Sequence, residues 1–190
     1  MKNKIVHLIY IIFSVIPDFY FIDKYLKKLR AFILSLESNK KIGNNVEIST
    51  NVKIGSSDRL IVGDNSKIKN NVNISGYVEI GNNTYILNNV YIDGSGNVKI
   101  GDFTHIGSYS FIYSHIHDIY SKNKKIIFSK EIFKSVEIGD DVMVYSKISI
   151  MAGVSVANGT VIAHGSIITK NTEEYGIYAG IPAKKISERV

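Results

Sequence analysis

The chain has 190 residues, of which 45% are hydrophobic and 21% are charged. This composition is typical of one ordered domain and excludes a disordered or collagen-like chain. The absence of cysteine excludes disulfides, thiolate metal sites and a cysteine nucleophile. The formal net charge of +6 comes mostly from lysine and is compatible with an anionic partner.

Residues 1–40 are predicted to form a helical N-terminal segment. A basic start is followed by the apolar stretch Ile5–Ile16, whose 12 residues fall short of the roughly 20 that span a bilayer. The following Pro17-Asp18-Phe19 is not the small-residue site at which a signal peptide is cleaved. We therefore expect a retained segment in a cytoplasmic protein.

A second apolar pattern in this segment has helical spacing. Its members are Phe19, Ile22, Leu26, Leu29, Ile33 and Leu36. They define one apolar face, which could cap the open end of the structure that follows or rest on an anionic membrane surface. Capping is favoured, and peripheral contact with the inner face of the membrane is the alternative.

Residues 41–186 contain an aliphatic residue at every sixth position. The series is Ile42, Ile48, Ile54, Val62, Ile68, Ile74, Ile80, Ile86, Ile92, Ile100, Ile106, Ile112, Ile138, Val144, Ile150, Val156, Ile162 and Ile168. A period of six fits neither a helix nor a simple strand. It predicts an all-β solenoid, a left-handed parallel β-helix of about six triangular coils, with Gly and Asn at corners where a positive φ costs little.

Three interruptions support the triangular solenoid. They fall between Ile54 and Val62, between Ile92 and Ile100, and over residues 113–136. All three occupy the same corner, the one at which the third strand of a coil leads to the next coil. Insertions in a solenoid gather on one side, where a loop can leave without breaking the stack.

The repeat, the excursion beginning Tyr113-Ser-His-Ile-His-Asp118 and the segment Tyr178–Lys185 together resemble the hexapeptide-repeat acyltransferases. The similarity is greatest to galactoside, maltose and xenobiotic acetyltransferases and to O-acetyltransferases of surface polysaccharides. It implies a homotrimer with acetyl-CoA as co-substrate and a carbohydrate acceptor. The richness in lysine, isoleucine and asparagine separately indicates a bacterial, AT-rich genome. We expect no metal and no nucleic-acid partner.

The resemblance also implies a catalytic base. In these enzymes a histidine five residues after the last inward aliphatic residue removes the acceptor proton, and counting from Ile112 gives His117. His115 is the alternative base. Asp118, or a backbone carbonyl, could orient the ring through its other nitrogen.

Binding residues follow from the same resemblance. Asp93, Asn88 and Asn89 are expected to bind the acceptor. The CoA groove is expected to contain Ser146, Ala163, Gly165, Thr169, Lys170, Ala179 and Lys184, with the lysines meeting phosphates. His164 is expected near that groove, and His105 is expected on the outside of the solenoid or at a subunit interface.

The leading functional interpretation is O-acetylation of a sugar during surface polysaccharide biosynthesis or modification. The alternative is N-acetylation of a nucleotide-linked amino sugar, which ranks second because residues 1–40 lack the Gly-rich turn of the Rossmann-like domain common in those relatives. A γ-type carbonic anhydrase is a distant alternative, since the spacing of His105, His115 and His117 does not match that family. A non-enzymatic solenoid would show regular rows of threonine instead.

Overall fold

A computed structural model describes residues 2–18, 22–120, 122–123 and 125–190. It begins with two α-helices, α1 (Lys2–Ser14) and α2 (Asp23–Ser35). Phe19, the first residue of the second apolar pattern, lies outside the described residues. No helix in these ranges has the length and apolarity needed to cross a membrane.

Twenty strands follow in the described part of the chain, most of them two or three residues long. They are β1 (Lys40–Ile42), β2 (Glu47–Ile48), β3 (Lys53–Ile54), β4 (Arg59–Val62), β5 (Lys67–Ile68), β6 (Asn73–Ile80), β7 (Tyr85–Ile86), β8 (Tyr91–Ile100), β9 (His105–Ile106), β10 (Phe111–Tyr113), β11 (His115–His117), β12 (Glu131–Phe133), β13 (Val136–Ile138), β14 (Met143–Val144), β15 (Ser149–Ile150), β16 (Ser155–Val156), β17 (Val161–Ile162), β18 (Ile167–Ile168), β19 (Gly176–Gly180) and β20 (Ala183–Glu188). A 3-10 helix spans Ile126–Phe128.

These strands form the predicted parallel β-solenoid with three faces. The first face contains β1, β4, the ends of β6 and β8, β13 and β16. The second contains β2, β5, β7, β9, β14, β17 and β19, and the third contains β3, the beginnings of β6 and β8, β10, β15 and β18. Because β6 and β8 continue around the corner from the third face to the first, these two faces belong to one sheet.

The aliphatic residues of the repeat stack in register along the interior. On the second face Ile48 pairs with Ile68, Ile68 with Ile86, and Ile86 with Ile106. All four are fully buried. Burying each of these side chains contributes about 1.5–3 kcal/mol relative to exposure. The six-residue spacing stabilises the interior because it places one such side chain inside on every strand.

The solenoid has about seven turns, where the aliphatic repeat predicted about six. The extra turn is formed by β19, which pairs in parallel with β17. Its inward residue is Tyr178, which is buried and follows an irregular stretch over 171–175. The aliphatic pattern misses this turn because an aromatic residue takes the inward position. The antiparallel strand β20 then pairs with β19 and covers part of the last coil.

The corner between the first and second faces is held by a ladder of side-chain oxygens. Each Asn or Asp there accepts the backbone N–H of its counterpart in the preceding coil. The bonds run from Asn44 to Asp64 (2.6 Å), Asp64 to Asn82 (2.8 Å), Asn82 to Asp102 (2.7 Å), Asp102 to Asp140 (2.7 Å) and Asp140 to Asn158 (2.8 Å). The ladder satisfies N–H groups that the strands leave unpaired at this corner.

The two helices cover the first coil. Ala31, Ile33 and Leu34 of α2 are buried in the same core as the solenoid interior. Arg30 is also fully buried. Its guanidinium donates to the carboxylate of Asp18 (2.6 Å) and to three backbone carbonyls, those of Phe13 (3.0 Å), Ile16 (2.5 Å) and Ile48 (3.2 Å). Arg30 thereby ties both helices to the second strand of the solenoid.

The corner ladder can be tested at Asp102. We expect Asp102→Ala to lower the free energy of unfolding by about 0.5–1.5 kcal/mol, because the Asn82 N–H loses its acceptor. Asp102→Asn is the matched control and should stay near wild type, since its amide oxygen still accepts this bond. Denaturant unfolding measures both variants, and equal losses in the two would contradict the ladder as the source of the stability.

Candidate functional site

The longest interruption leaves the solenoid between β10 and β13 as a β-hairpin. Strands β11 and β12 are antiparallel, with His115 opposite Phe133 and His117 opposite Glu131. The 3-10 helix of the hairpin is exposed. Since His115 and His117 are two residues apart on one strand, their rings project to the same side, with centroids 5.9 Å apart.

His115 forms a close pair with Asp93. The Nδ1 atom of His115 lies 2.5 Å from Oδ2 of Asp93 and 3.3 Å from Oγ of Ser95. Asp93 belongs to β8, one coil before His115, and the register that pairs Asp93 with Tyr113 brings the two side chains together. The predicted acceptor residue Asp93 and the alternative base His115 therefore meet in one site.

The carboxylate of Asp93 is buried and fully bonded. Oδ1 accepts the N–H of Ser95 (3.1 Å), and Oδ2 accepts the N–H of Ser114 (3.3 Å) as well as bonding to His115. Burial raises the pKa of Asp93, but the hydrogen bonds from His115, Ser95 and Ser114 outweigh it and hold the pKa below its ordinary value. An ionised Asp93 places the imidazole proton on Nδ1, which leaves Nε2 of His115 free to accept a proton.

A tight corner beneath the pair fixes its geometry. Ser114 is fully buried, and its hydroxyl donates to the carbonyl of Asp93 (2.6 Å) while accepting the N–H of Gly96 (2.7 Å). A Cβ atom at position 96 would lie 2.1 Å from the carbonyl oxygen of Ser114, so only glycine fits. The sequence analysis did not identify Ser95, Gly96 or Ser114 as site residues. The one available signal was the short insertion between Ile92 and Ile100, which lies at this corner.

His117 and Asp118 lie further along the hairpin. His117 is exposed. Asp118 accepts the N–H of Tyr120 (3.1 Å) through Oδ1, and its own N–H bonds to the carbonyl of Lys130 (2.9 Å). Among the hydrogen bonds of the described residues, none joins Asp118 to either histidine. The structure thus gives an orienting carboxylate to His115 and none to His117.

An aromatic row leads along the third face to the pair. It consists of Tyr91, Phe111 and Tyr113, in the two coils that carry Asp93 and His115. The Phe111 and Tyr113 rings are nearly parallel with centroids 6.1 Å apart, and the Tyr91 and Tyr113 centroids are 6.0 Å apart. These side chains are partly exposed, so the row offers an aromatic surface beside the pair.

Asn88 and Asn89 occupy the corner between the second and third faces. Oδ1 of Asn88 accepts the N–H of Asn70 (3.1 Å), and Asn89 has a φ of 59°. Strand β8 begins at Tyr91, after this corner, and carries Asp93 along the third face. The two asparagines therefore lie at the opposite edge of the third face from the pair.

The predicted CoA residues divide between two corners of the last coils. Those after the second face are Ser146, Ala163, Gly165 and Ala179, while Thr169 and Lys170 follow the third face, on the same edge as the pair. Lys184, in β20, is paired with Ala179. Next to Ser146 lies His164, whose Nδ1 accepts the Ser146 N–H (3.2 Å) and whose ring packs on Tyr145 with centroids 4.8 Å apart. Within one chain the seven residues do not form a single group.

His105 lies on the outside of the second face, where its ring packs edge-on against Tyr85 with centroids 6.3 Å apart. Burial lowers the pKa of His105, which favours the neutral ring. Across the described ranges, no cluster of three or more His, Asp or Glu side chains has the arrangement of a metal site.

Comparison with known proteins identifies solved structures that share this fold. Neither a protein-family model nor a curated protein matches the chain. Among solved structures, a variant of AntD, an N-acyltransferase from Bacillus cereus in complex with dTDP and coenzyme A, superposes with a TM-score of 0.71 at 23% identity over 78% of this chain and 83% of that one. Another AntD variant, bound to dTDP-4-amino-4,6-dideoxyglucose and coenzyme A, gives 0.72 at 24% identity over 92% of both chains.

A hexapeptide-repeat acetyltransferase from Vibrio cholerae O1 biovar eltor, complexed with acetyl coenzyme A, gives a TM-score of 0.69 at 16% identity over 98% of this chain and 86% of that one. These similarities, all below 25% identity, confirm the solenoid fold that the six-residue repeat predicted.

The hydrogen-bonded carboxylate of Asp93 should make the free energy of unfolding depend on pH. Folding lowers the pKa of Asp93 below the usual carboxyl pKa of about 3.9, so the ionised carboxylate stabilises the folded protein at pH 7. This stabilisation is lost as the pH falls through the pKa that Asp93 has in the folded protein. We expect Asp93→Asn to reduce the free energy of unfolding at pH 7 by about 1–3 kcal/mol.

Thermal unfolding at pH 7 and near pH 3 measures this effect, and the difference from wild type should shrink at the lower pH. The matched control, Asp118→Asn, changes a carboxylate on the hairpin and should unfold like wild type at both values. A deficit in Asp93→Asn that persists unchanged at pH 3 would show that the ionised carboxylate is not the source.

Proposed function

We propose that this protein transfers an acyl group from a CoA thioester to a sugar, with His115 as the general base. The observation that carries the proposal is the contact between His115 and the buried carboxylate of Asp93, at the corner where the solenoid releases its longest excursion. Acyl transfer needs a neutral imidazole with one nitrogen oriented and the other free, and this pair supplies both.

In the proposed reaction, Nε2 of His115 takes the proton of the acceptor hydroxyl or amine as its oxygen or nitrogen attacks the thioester carbonyl carbon. The tetrahedral intermediate then collapses, the carbon–sulfur bond breaks, and the CoA thiolate receives that proton from the imidazolium. Asp93 keeps its negative charge throughout and stabilises the imidazolium through Nδ1–H. No covalent intermediate on the protein is required.

The choice of His115 over His117 rests on contacts and burial. Counting along the repeat pointed to His117, but its ring lies exposed on the hairpin, and no carboxylate of the described residues bonds to it. His115 is partly enclosed, with a side-chain exposure of 31%, against Asp93 at 5%. Positioning of this kind is worth more to a base than accessibility alone.

The split of the predicted CoA residues supports a site shared between chains. Ser146, Ala163, Gly165 and Ala179 lie across the third face from His115, so one chain offers only part of a groove. We propose a homotrimer in which this corner of one subunit faces the His115 corner of the next. The pantetheine arm would lie along the small residues, and Lys170 and Lys184 would meet the CoA phosphates.

The acceptor class follows from the aromatic row and from the structural neighbours. Flat aromatic side chains beside the base suit a nucleobase or the apolar side of a sugar ring. AntD, which shares the fold, is an N-acyltransferase crystallised with dTDP-4-amino-4,6-dideoxyglucose. We therefore rank a nucleotide-linked amino sugar first as acceptor, ahead of the polysaccharide hydroxyl that the sequence resemblance favoured.

O-acetylation remains the second candidate because of the Asp93–His115 pair. A hydroxyl is a weaker nucleophile than a neutral amine and gains more from a base that removes its proton during attack. Asn88 and Asn89 of a neighbouring subunit would bind acceptor hydroxyls in either case, whereas the Asp93 carboxylate, predicted to bind the acceptor, is already bonded to His115, Ser95 and Ser114.

The base assignment is tested by paired substitutions. We expect His115→Ala to lower kcat by about 10²–10⁴-fold, the usual contribution of a general base. His117→Ala should retain most of the wild-type kcat because its ring lacks an orienting partner. Thiol release from acetyl-CoA measures both, with circular dichroism to check that the variants fold. Collapse of activity in His117→Ala with His115→Ala intact would reverse the assignment.

The acceptor class is tested by comparing products. We expect acceptor-dependent thiol release with dTDP-4-amino-4,6-dideoxyglucose, at least about tenfold above the matching nucleotide sugar that carries a hydroxyl in place of the amine. Hydroxylamine treatment separates the two chemistries, since it cleaves an ester and spares an amide. Release with polysaccharide fragments alone, giving a hydroxylamine-labile product, would establish O-acetylation instead.

A further inference from the structure

The helical cap exposes an extended apolar surface. On and beside α1, the side chains of Ile5, Leu8, Ile9, Ile11, Ile12 and Val15 are 41–61% exposed, and on and beside α2 those of Ile22, Tyr25, Leu29, Phe32 and Leu36 are 37–76% exposed. We call these eleven residues the outer face of the cap. Exposed apolar patches of this extent are rare in soluble monomers and mark interaction sites.

Most of the outer face is turned away from the solenoid, and only Ile11, Val15 and Phe32 at its edges also line pockets between the helices and the solenoid. The helices form an antiparallel pair, because Asn3 bonds to Ser38 (2.8 Å) and His7 bonds to Glu37 (3.0 Å). The opposite sides of both helices are buried, with the Tyr10 hydroxyl donating to the carbonyl of Val52 (2.8 Å). The apolar residues at the centre of the outer face are therefore not needed to close the first coil, which the buried sides of the helices already cover.

Positive charge is concentrated around this surface. Residues 1–36 contain six Lys or Arg and two Asp or Glu, a balance of +4 out of the +6 of the whole chain. Both carboxylates are neutralised, Asp18 by Arg30 (2.6 Å) and Asp23 by Lys27 (2.5 Å). Lys4, Lys24 and Lys28 are exposed. An apolar surface bordered by unopposed lysines is complementary to a surface that is itself apolar and anionic.

We propose that the outer face of the cap docks on anionic lipid membranes, with α1 and α2 lying in the headgroup region. The 13 residues of α1 extend only about 20 Å, against the roughly 30 Å hydrocarbon thickness of a bilayer, so the helices lie on the membrane and do not cross it. A second copy of this chain fits less well, since two identical faces would bring two sets of lysines together. This inference is independent of the proposed acyl transfer.

The experiment is co-sedimentation of the full chain with phosphatidylcholine vesicles that contain or lack phosphatidylserine. We expect binding to the anionic vesicles, weaker binding at high salt and little binding to pure phosphatidylcholine. The apolar variant is Ile12→Glu/Phe32→Glu, which places carboxylates on both helices and should abolish binding. Circular dichroism and thermal unfolding confirm that each variant folds.

The charge variant is Lys24→Gln/Lys28→Gln. Removing two lysines near the surface should lower the partition coefficient onto anionic vesicles by about 30-fold. The matched control, Lys122→Gln/Lys130→Gln, removes the same charge from exposed positions of the excursion and should bind like wild type.

Equal losses in the two lysine variants would overturn the proposal, because binding would then follow net charge and not the cap. Absence of vesicle binding would overturn the proposal as well. If light scattering showed that Ile12→Glu/Phe32→Glu dissociates an oligomer, the outer face would instead be an interface with a second copy of the chain. Acyl transfer to a soluble acceptor should be unchanged in both cap variants, so a missing activity and a missing membrane contact are separate results.

Discussion

Each coil of this structure is stable only when it stacks in register on its neighbours. Strands of two or three residues cannot satisfy their own backbone groups, and each is stable only because the coils before and after it supply the hydrogen bonds. This requirement fixes the six-residue spacing, places one aliphatic residue per strand inside, and demands corners that turn the chain from one face to the next without clashes. The Asn and Asp ladder from Asn44 to Asn158 meets that demand at one corner, where its side-chain oxygens accept backbone N–H groups coil after coil.

The same stacking creates the candidate site. Asp93 and His115 are 22 residues apart in sequence, yet the register of consecutive coils sets them side by side. A buried carboxylate is costly unless its bonds are satisfied, and here Ser95, Ser114 and His115 satisfy it. Folding supplies the free energy that holds this charge in place, so the imidazole of His115 is oriented before any ligand binds. Insertions at this corner leave the stack intact, which lets the chain add the hairpin of β11 and β12 without weakening the core.

The ends of the solenoid are closed in different ways. At the C-terminal end, β20 folds back on β19. At the N-terminal end two helices cover the first coil and are fastened by the buried Arg30. One side of these helices is sufficient for closure, and the other side carries apolar and basic residues with no role in the core. Capping and membrane contact, which the sequence posed as alternatives for this segment, are thus compatible in the structure, because they use opposite sides of the same helices.

The amino-acid pattern was enough to predict the solenoid, the corner that carries the insertions and the excursion with its two histidines, because a strict spatial repeat requires a strict sequence repeat. The predicted solenoid was one turn too short, because the inward residue of the last turn is the aromatic Tyr178 and not an aliphatic residue. Only the tertiary structure decided which histidine receives a carboxylate. The contact between Asp93 and His115 crosses coils, and periodicity along the chain does not record which side chains meet across a corner that contains insertions. For the same reason Ser95, Gly96 and Ser114, whose importance comes from close approach in space, left almost no trace in the pattern of the sequence.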